Sequence, residues 1–135
     1  LLNTFESSAK VSGSKNQNLL QQYKKISRQF NAKNLEYIKA YIESSQSGNN
    51  PRILDSIQKA MDNLLKRRYL YALNFASTNG DNVISPYIAL TEVSDANIKL
   101  LDTVVSKLSE KVKSSKYGKL LIDFISERRA LESND

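Results

Sequence analysis

At 135 residues, with 40% apolar and 25% charged side chains, the chain has the size and composition of one ordinary globular domain rather than a disordered tract. It contains neither Cys nor His. Disulfides, thiolate nucleophiles and soft-metal sites are thereby excluded, and the side chain best suited to proton transfer near neutral pH is missing, so no catalytic residue, cofactor or metal is expected.

A net charge of +6 raises the question of nucleic acid or an anionic surface. The cations are scattered, however, with Lys66-Arg67-Arg68 the only run of three. Between Gly80 and Val104 the balance reverses, with Asp81, Glu92, Asp95 and Asp102 against Lys99. A solvated basic surface is the plain expectation, and nucleic acid is not an expected partner.

Residues 1–14 read as an extended lead-in or the end of a preceding domain, closed by the turn signal Ser12-Gly13-Ser14. The helical domain is placed at 15–135. From Lys15 the apolar period is helical: Leu19, Tyr23, Ile26 and Phe30, then Leu35, Ile38 and Ile42, with Tyr37 and Tyr41 beside them. The stripe drifts at Asn31–Asn34, where a kink or break is expected. Ser44 to Asn50 ends the helix.

Asn50 is the expected cap and Pro51 the first residue of a second helix, whose stripe is Leu54, Ile57, Met61, Leu64, Tyr71 and Phe75, supported by Leu65, Tyr69, Ala72 and Ala76. Gly80 is expected in a left-handed position at its end. Ser85-Pro86 is read as cap and first residue of a short third helix carrying Tyr87, Ile88 and Leu90. Ser94 or Asp95 is expected to cap a fourth, which buries Ile98, Leu101, Val105 and Leu108. Ser109 and Ser115 are cap types on either side of a short turn at Val112. The last helix begins near Ser115 and buries Tyr117, Leu121, Phe124 and Ile125. No stretch after Val11 alternates as a strand.

The predicted fold is all-α: a long antiparallel hairpin, each helix about 40 Å long at 1.5 Å per residue, packed with three shorter helices. No run of 18 apolar residues exists to span a bilayer.

Little in the chain resembles reaction chemistry. Lys66, Arg67 and Arg68, beside Tyr69 and Tyr71, form the nearest approach to an interaction patch, but consecutive helical residues point about 100° apart. Asp55 and Asp62 share a helical face with Lys59 between them, the spacing of ordinary ion pairs. Asp123, Glu127 and Arg128 read as surface charges. A peptide groove of Tyr23, Tyr37, Tyr41 and Tyr71 is conceivable, with core packing the simpler reading. The four glycines stand alone, so no phosphate-cradling loop can be built.

Two blocks carry a family resemblance. Leu73-Asn74-Phe75-Ala76-Ser77-Thr78-Asn79 followed by Val83-Ile84-Ser85-Pro86-Tyr87-Ile88-Ala89-Leu90 resembles a helix end and restart in the helical segment of TlpA-like thiol–disulfide oxidoreductases of the bacterial envelope. Leu108-Ser109-Glu110-Lys111-Val112-Lys113-Ser114-Ser115-Lys116-Tyr117-Gly118-Lys119 resembles the last helix-loop-helix of that segment. The likeness covers Leu73 to Ile125 and rests on structural residues, chiefly Ser85, Pro86, Ser115, Tyr117 and Gly118. It departs at Gly80-Asp81, where the family commonly has Pro before an acidic residue.

The resemblance implies a β-rich domain before this segment, with Val11 to Ser14 as its exit, and a thioredoxin fold after it. Leu1, rather than Met, at the start is read the same way, as a piece of a longer chain. The family's Cys-x-x-Cys has no counterpart here, so its catalytic residues cannot be carried over. What the resemblance implies is a non-catalytic accessory or spacer domain in the periplasm or cell envelope. It would position a C-terminal thioredoxin-fold domain of the same parent chain, form a homodimer or hold a protein client. The alternative is an independent helical binding module for an anionic or peptide partner.

Overall fold

The computed structural model describes residues 14–48 and 50–133, and the expected lead-in before Ser14 lies outside them. Six helices follow one another: α1 (Ser14–Gln46), α2 (Pro51–Thr78), α3 (Ile84–Glu92), α4 (Ile98–Ser106), α5 (Glu110–Lys113) and α6 (Lys116–Ser133). Among the described residues there is no strand. The all-α hairpin architecture is as the periodicity predicts, with the turn at Val112 tightened into the four-residue α5.

α1 runs unbroken for 33 residues, so the helix is not interrupted at Asn31–Asn34. Asn31, Ala32, Lys33 and Asn34 include no Pro or Gly, and polar side chains on the exposed side of a helix leave its backbone ladder intact. Asn50 Oδ1 accepts from the Arg52 amide and Pro51 opens α2, as their types require.

α2 is the central element, packing against α1, α3 and α4, and α6 closes over α3, α4 and α5 from outside. The core sits at this junction. Ala76, Ile84, Ala89, Val93, Leu101, Val104 and Leu121 are wholly buried there. Of these, Ile84, Ala89, Val93 and Val104 fall beside rather than on the expected stripes, because a short helix between two layers is apolar on more than one side.

Three expected helix ends are corrected. Ser85 does not cap α3, which begins a residue earlier behind Val83 with no side-chain cap. The Ile84 amide is served instead by Asn16 Oδ1 of α1 at 3.4 Å, and the Ser85 hydroxyl donates to the Ala76 carbonyl at 2.5 Å. Pro86 then lies within the first turn, where a missing N–H costs nothing. Neither Ser94 nor Asp95 caps α4; Asn97 does, its Oδ1 accepting from the Lys99 amide at 2.8 Å.

Gly80 is not left-handed: Asn79 closes α2, and Gly80 is small because its backbone lies against the Lys107 carbonyl, where a Cβ would collide. Ser109 N donates to Gly80 O at 3.0 Å, so two loops far apart in sequence are fastened together. Ser109 and Ser115 do cap, accepting from the amides of Val112 and Gly118.

Candidate functional site

The base of the hairpin is an aromatic cluster. Tyr23 of α1 stacks on Tyr71 of α2 with ring centroids 5.7 Å apart and meets Phe75 edge-on at 5.3 Å, while Phe30 lies 6.1 Å from Tyr71. Tyr37 and Tyr41 do not join them. They lie about 20–27 Å farther along α1, Tyr37 beneath the Lys33 ammonium at 5.2 Å. The four tyrosines therefore make no common groove, and packing accounts for Tyr23 and Tyr71.

Beside Tyr23 a cleft of about 250 Å³ opens between α1 and α3, lined by Lys24, Arg28, Tyr87, Ile88 and Glu92 among others. Burial pushes the Tyr23 phenol well above its ordinary range. The Glu92 charge and its hydrogen bond with the hydroxyl add to this, and Arg68 opposes it. A phenol that resists ionisation is a poor base or nucleophile at neutral pH, so Tyr23 serves here as a neutral donor.

The paired carboxylates are tied up locally. Lys59 Nζ lies 3.1 Å from Asp55, and Asp62 accepts from Gln58 Nε2 at 3.1 Å. Arg128 is not a surface charge: Nη1 donates to the carbonyls of Ser94 and Ala96 at 2.9 and 2.6 Å, and Nη2 pairs with Glu132. Among the described residues no group of three or more Asp or Glu side chains is arranged to hold a metal ion. No helix there is long and apolar enough to cross a membrane.

Lys66, Arg67 and Arg68 diverge. Lys66 lines a hollow between α2 and α4 with Leu70 and Leu100, Arg68 lines a groove on the hairpin, and Arg67 lines neither. The residues of the resemblance are all structural. Ser85 ties α3 to α2, Pro86 is buried, and Tyr117 meets Tyr87 edge-on at 5.3 Å. Ser115 caps α6, and Gly118 lets α6 cross against the backbone of Val112 and Lys113.

The most extensive feature was not among the residues singled out by chemistry. Between Tyr23 and Leu64 no described residue is buried, so the hairpin extends beyond the core as a two-helix arm. Only its seam is half-covered, by Phe30, Tyr37, Ile38, Leu54, Ile57 and Met61. Leu35 is 66% exposed, Ile42 50% and Leu65 48%. A groove of about 300 Å³ runs between the helices, lined by Phe30, Asn31, Asn34, Met61, Leu65 and Arg68 among others.

The positive charge of the hairpin is concentrated toward its base, since residues 31–63 carry four Lys and Arg against four Asp and Glu. α1 and α2 carry eleven Lys and Arg against four Asp and Glu, whereas residues 79–133 carry eight of each. The apolar stripe is legible in the sequence at full length, whereas the part of it left uncovered among the described residues is shown only by the packing.

Comparison with known protein families, with curated proteins and with solved structures found no match.

Proposed function

We propose that this chain is a non-catalytic helical module, its packed base serving as a mount and its hairpin as a stiff arm that sets distance and contacts a protein partner. The observation that carries this reading is the absence of any buried residue between Tyr23 and Leu64 among those described. Some forty residues in two long helices contribute little to the core, and a helix pair of that length stays extended at about 1.5 Å per residue. The lack of Cys and His, and the upward displacement of the Tyr23 phenol, leave the base without an evident nucleophile or proton shuttle.

In its specific form the reading attaches the module to a thioredoxin-fold domain of the same parent chain, as the resemblance of Leu73 to Ile125 to TlpA-like oxidoreductases of the bacterial envelope implies. Two experiments test it. The reading frame beyond Asp135 is expected to encode a Cys-x-x-Cys within about a hundred residues, a typical domain length; its absence would remove the oxidoreductase attachment. The 135-residue chain is expected to leave the reduction of insulin disulfides by dithiothreitol unaccelerated, and turnover above the uncatalysed rate would contradict a non-catalytic role.

A further inference from the structure

On α6, Leu120, Phe124, Glu127 and Leu131 follow 4-3-4 spacing and so share one side of the helix, next to the buried line of Tyr117, Leu121 and Ile125. Leu120 is 45% exposed and Leu131 68%. Where this side meets α3 a hollow of about 480 Å³ opens, with Leu90 and Thr91 on the α3 wall and Leu120, Asp123, Phe124 and Glu127 on the α6 wall. Apolar side chains thus line a recess of the packed base that no described element fills.

Its charged lining is of one sign. Most other carboxylates among the described residues are engaged, as Asp102 is with Arg129, Glu132 with Arg128 and Asp95 with Tyr69. Asp123 and Glu127 make neither an ion pair nor a hydrogen bond there. The cations of α6 do not answer them. Lys116 stands over the Tyr117 ring at 5.8 Å, Lys119 projects about 100° from Leu120, and Arg128 and Arg129 hold the partners already described. Lys24 and Arg28 line the separate cleft between α1 and α3.

We propose that this hollow seats a basic amphipathic helix of a protein partner, with leucine-like residues along Leu120, Phe124 and Leu131 and Lys or Arg against Asp123 and Glu127. The surface belongs to the base, so the proposal goes beyond the reading of the hairpin as an arm and does not depend on it. Leu120 to Leu131 spans about 17 Å, three turns of an incoming helix laid in a groove. Burial of the exposed leucines supplies the attraction, and the two unpaired carboxylates select the sign of the flanking charge.

Other occupants meet a specific obstacle. A two-fold contact of this face with itself would set Asp123 and Glu127 of one copy against those of the other, and a head-to-tail contact does not close. Nucleic acid and anionic lipid would bring phosphates against the same two carboxylates.

The test uses the whole 135-residue chain and a fluorescein-labelled 18-residue peptide with Leu at heptad a and d positions and Lys at the flanking positions. Fluorescence anisotropy is expected to show binding that Asp123→Asn with Glu127→Gln weakens by about threefold to tenfold. A peptide with Gln in place of Lys is expected to bind the wild-type chain and this variant equally. Leu120→Ser with Leu131→Ser is expected to weaken both peptides by about tenfold or more at unchanged helical circular dichroism. Leu70→Ser with Leu100→Ser, exposed leucines elsewhere on the chain, is expected to leave binding unaltered.

Equal or tighter binding of a peptide with Glu in place of Lys would overturn the proposal, as would undiminished binding by the Leu120/Leu131 variant or no binding at millimolar peptide. An Asp123/Glu127 variant that binds the Lys peptide as the wild type does would remove the charge selection on which the choice of partner stands. A dimer by light scattering that the Leu120/Leu131 substitutions dissolve would make a second copy the occupant instead.

Discussion

Arg128 of α6 reaches back thirty-two residues to place Nη1 2.6 Å from the Ala96 carbonyl oxygen, and the same nitrogen meets the Ser94 carbonyl at 2.9 Å. One guanidinium therefore holds the loop between α3 and α4. Replacing Arg128 by Ala leaves these carbonyls without their charged donor and is expected to cost about 1–3 kcal/mol. Arg128→Lys should recover only part of this, since an ammonium lacks the planar fork. Arg129, whose pair with Asp102 lies in solvent, is the control, with an expected loss of about 0–1 kcal/mol on substitution by Ala. Urea denaturation of the three variants checks the ranking.

Gly80 and Gly118 sit where two loops press on backbone. A Cβ at Gly118 meets the carbonyl of Val112 and the backbone of Lys113, and one at Gly80 meets that of Lys107. Helix propensity alone would make Gly118→Ala stabilising by about 1 kcal/mol. The collision is with backbone rather than a flexible side chain, so the expected net effect has the opposite sign: a loss of about 1–3 kcal/mol at each position. Thermal melts of G80A and G118A decide it, and a raised Tm for G118A would show that α5 yields more easily than its contacts imply.

These positions also mark where the sequence was legible. Asn50, Ser109 and Ser115 each serve a backbone amide within three residues and Pro51 opens its helix with the N–H already absent, so residue type alone placed them. Ser85 and Gly80 answer to partners remote in sequence, the Ala76 carbonyl at the end of α2 and the loop at Lys107, so local rules misassigned both. The candidate site divides the same way. Helical spacing marked Leu35, Ile38 and Ile42 as one stripe, but only the packing shows that nothing covers Leu35 and Ile42. Arg128 carried no sequence signal, because a carbonyl partner leaves no pattern of charge.

The Tyr23 phenol predicts a drop in stability on the alkaline side. Its folded value is raised above the ordinary value of about 10, by burial first and then by Glu92, with Tyr71 adding and Arg68 opposing. Between the unfolded and folded values the native state holds the proton that the unfolded chain gives up. Stability is therefore level with respect to this group below about pH 10 and falls as pH rises beyond it. Urea midpoints from pH 8 to 11.5 should show this decline, and Tyr23→Phe should reduce its slope. Equal slopes for the two proteins would mean that the buried hydroxyl is not what the alkaline transition reports.

The arm and the base should separate in stability. Leu121 is wholly buried between α6 and its neighbours, and Leu121→Ala is expected to cost about 2–5 kcal/mol through lost contacts and the cavity left behind. Leu35, two-thirds exposed, should change stability by no more than about 0.5 kcal/mol when replaced by Ala. The same contrast should appear without mutation. The helical amides of residues 31–46 and 52–63 are closed only on a half-buried seam, so they should exchange through local opening, while those of α3 and the first half of α6 wait for global unfolding. Native-state hydrogen exchange at increasing denaturant resolves the two groups. Equal protection in both would mean that the two-helix seam holds as firmly as the core, and the protein partner proposed for the arm would then add contact but little order.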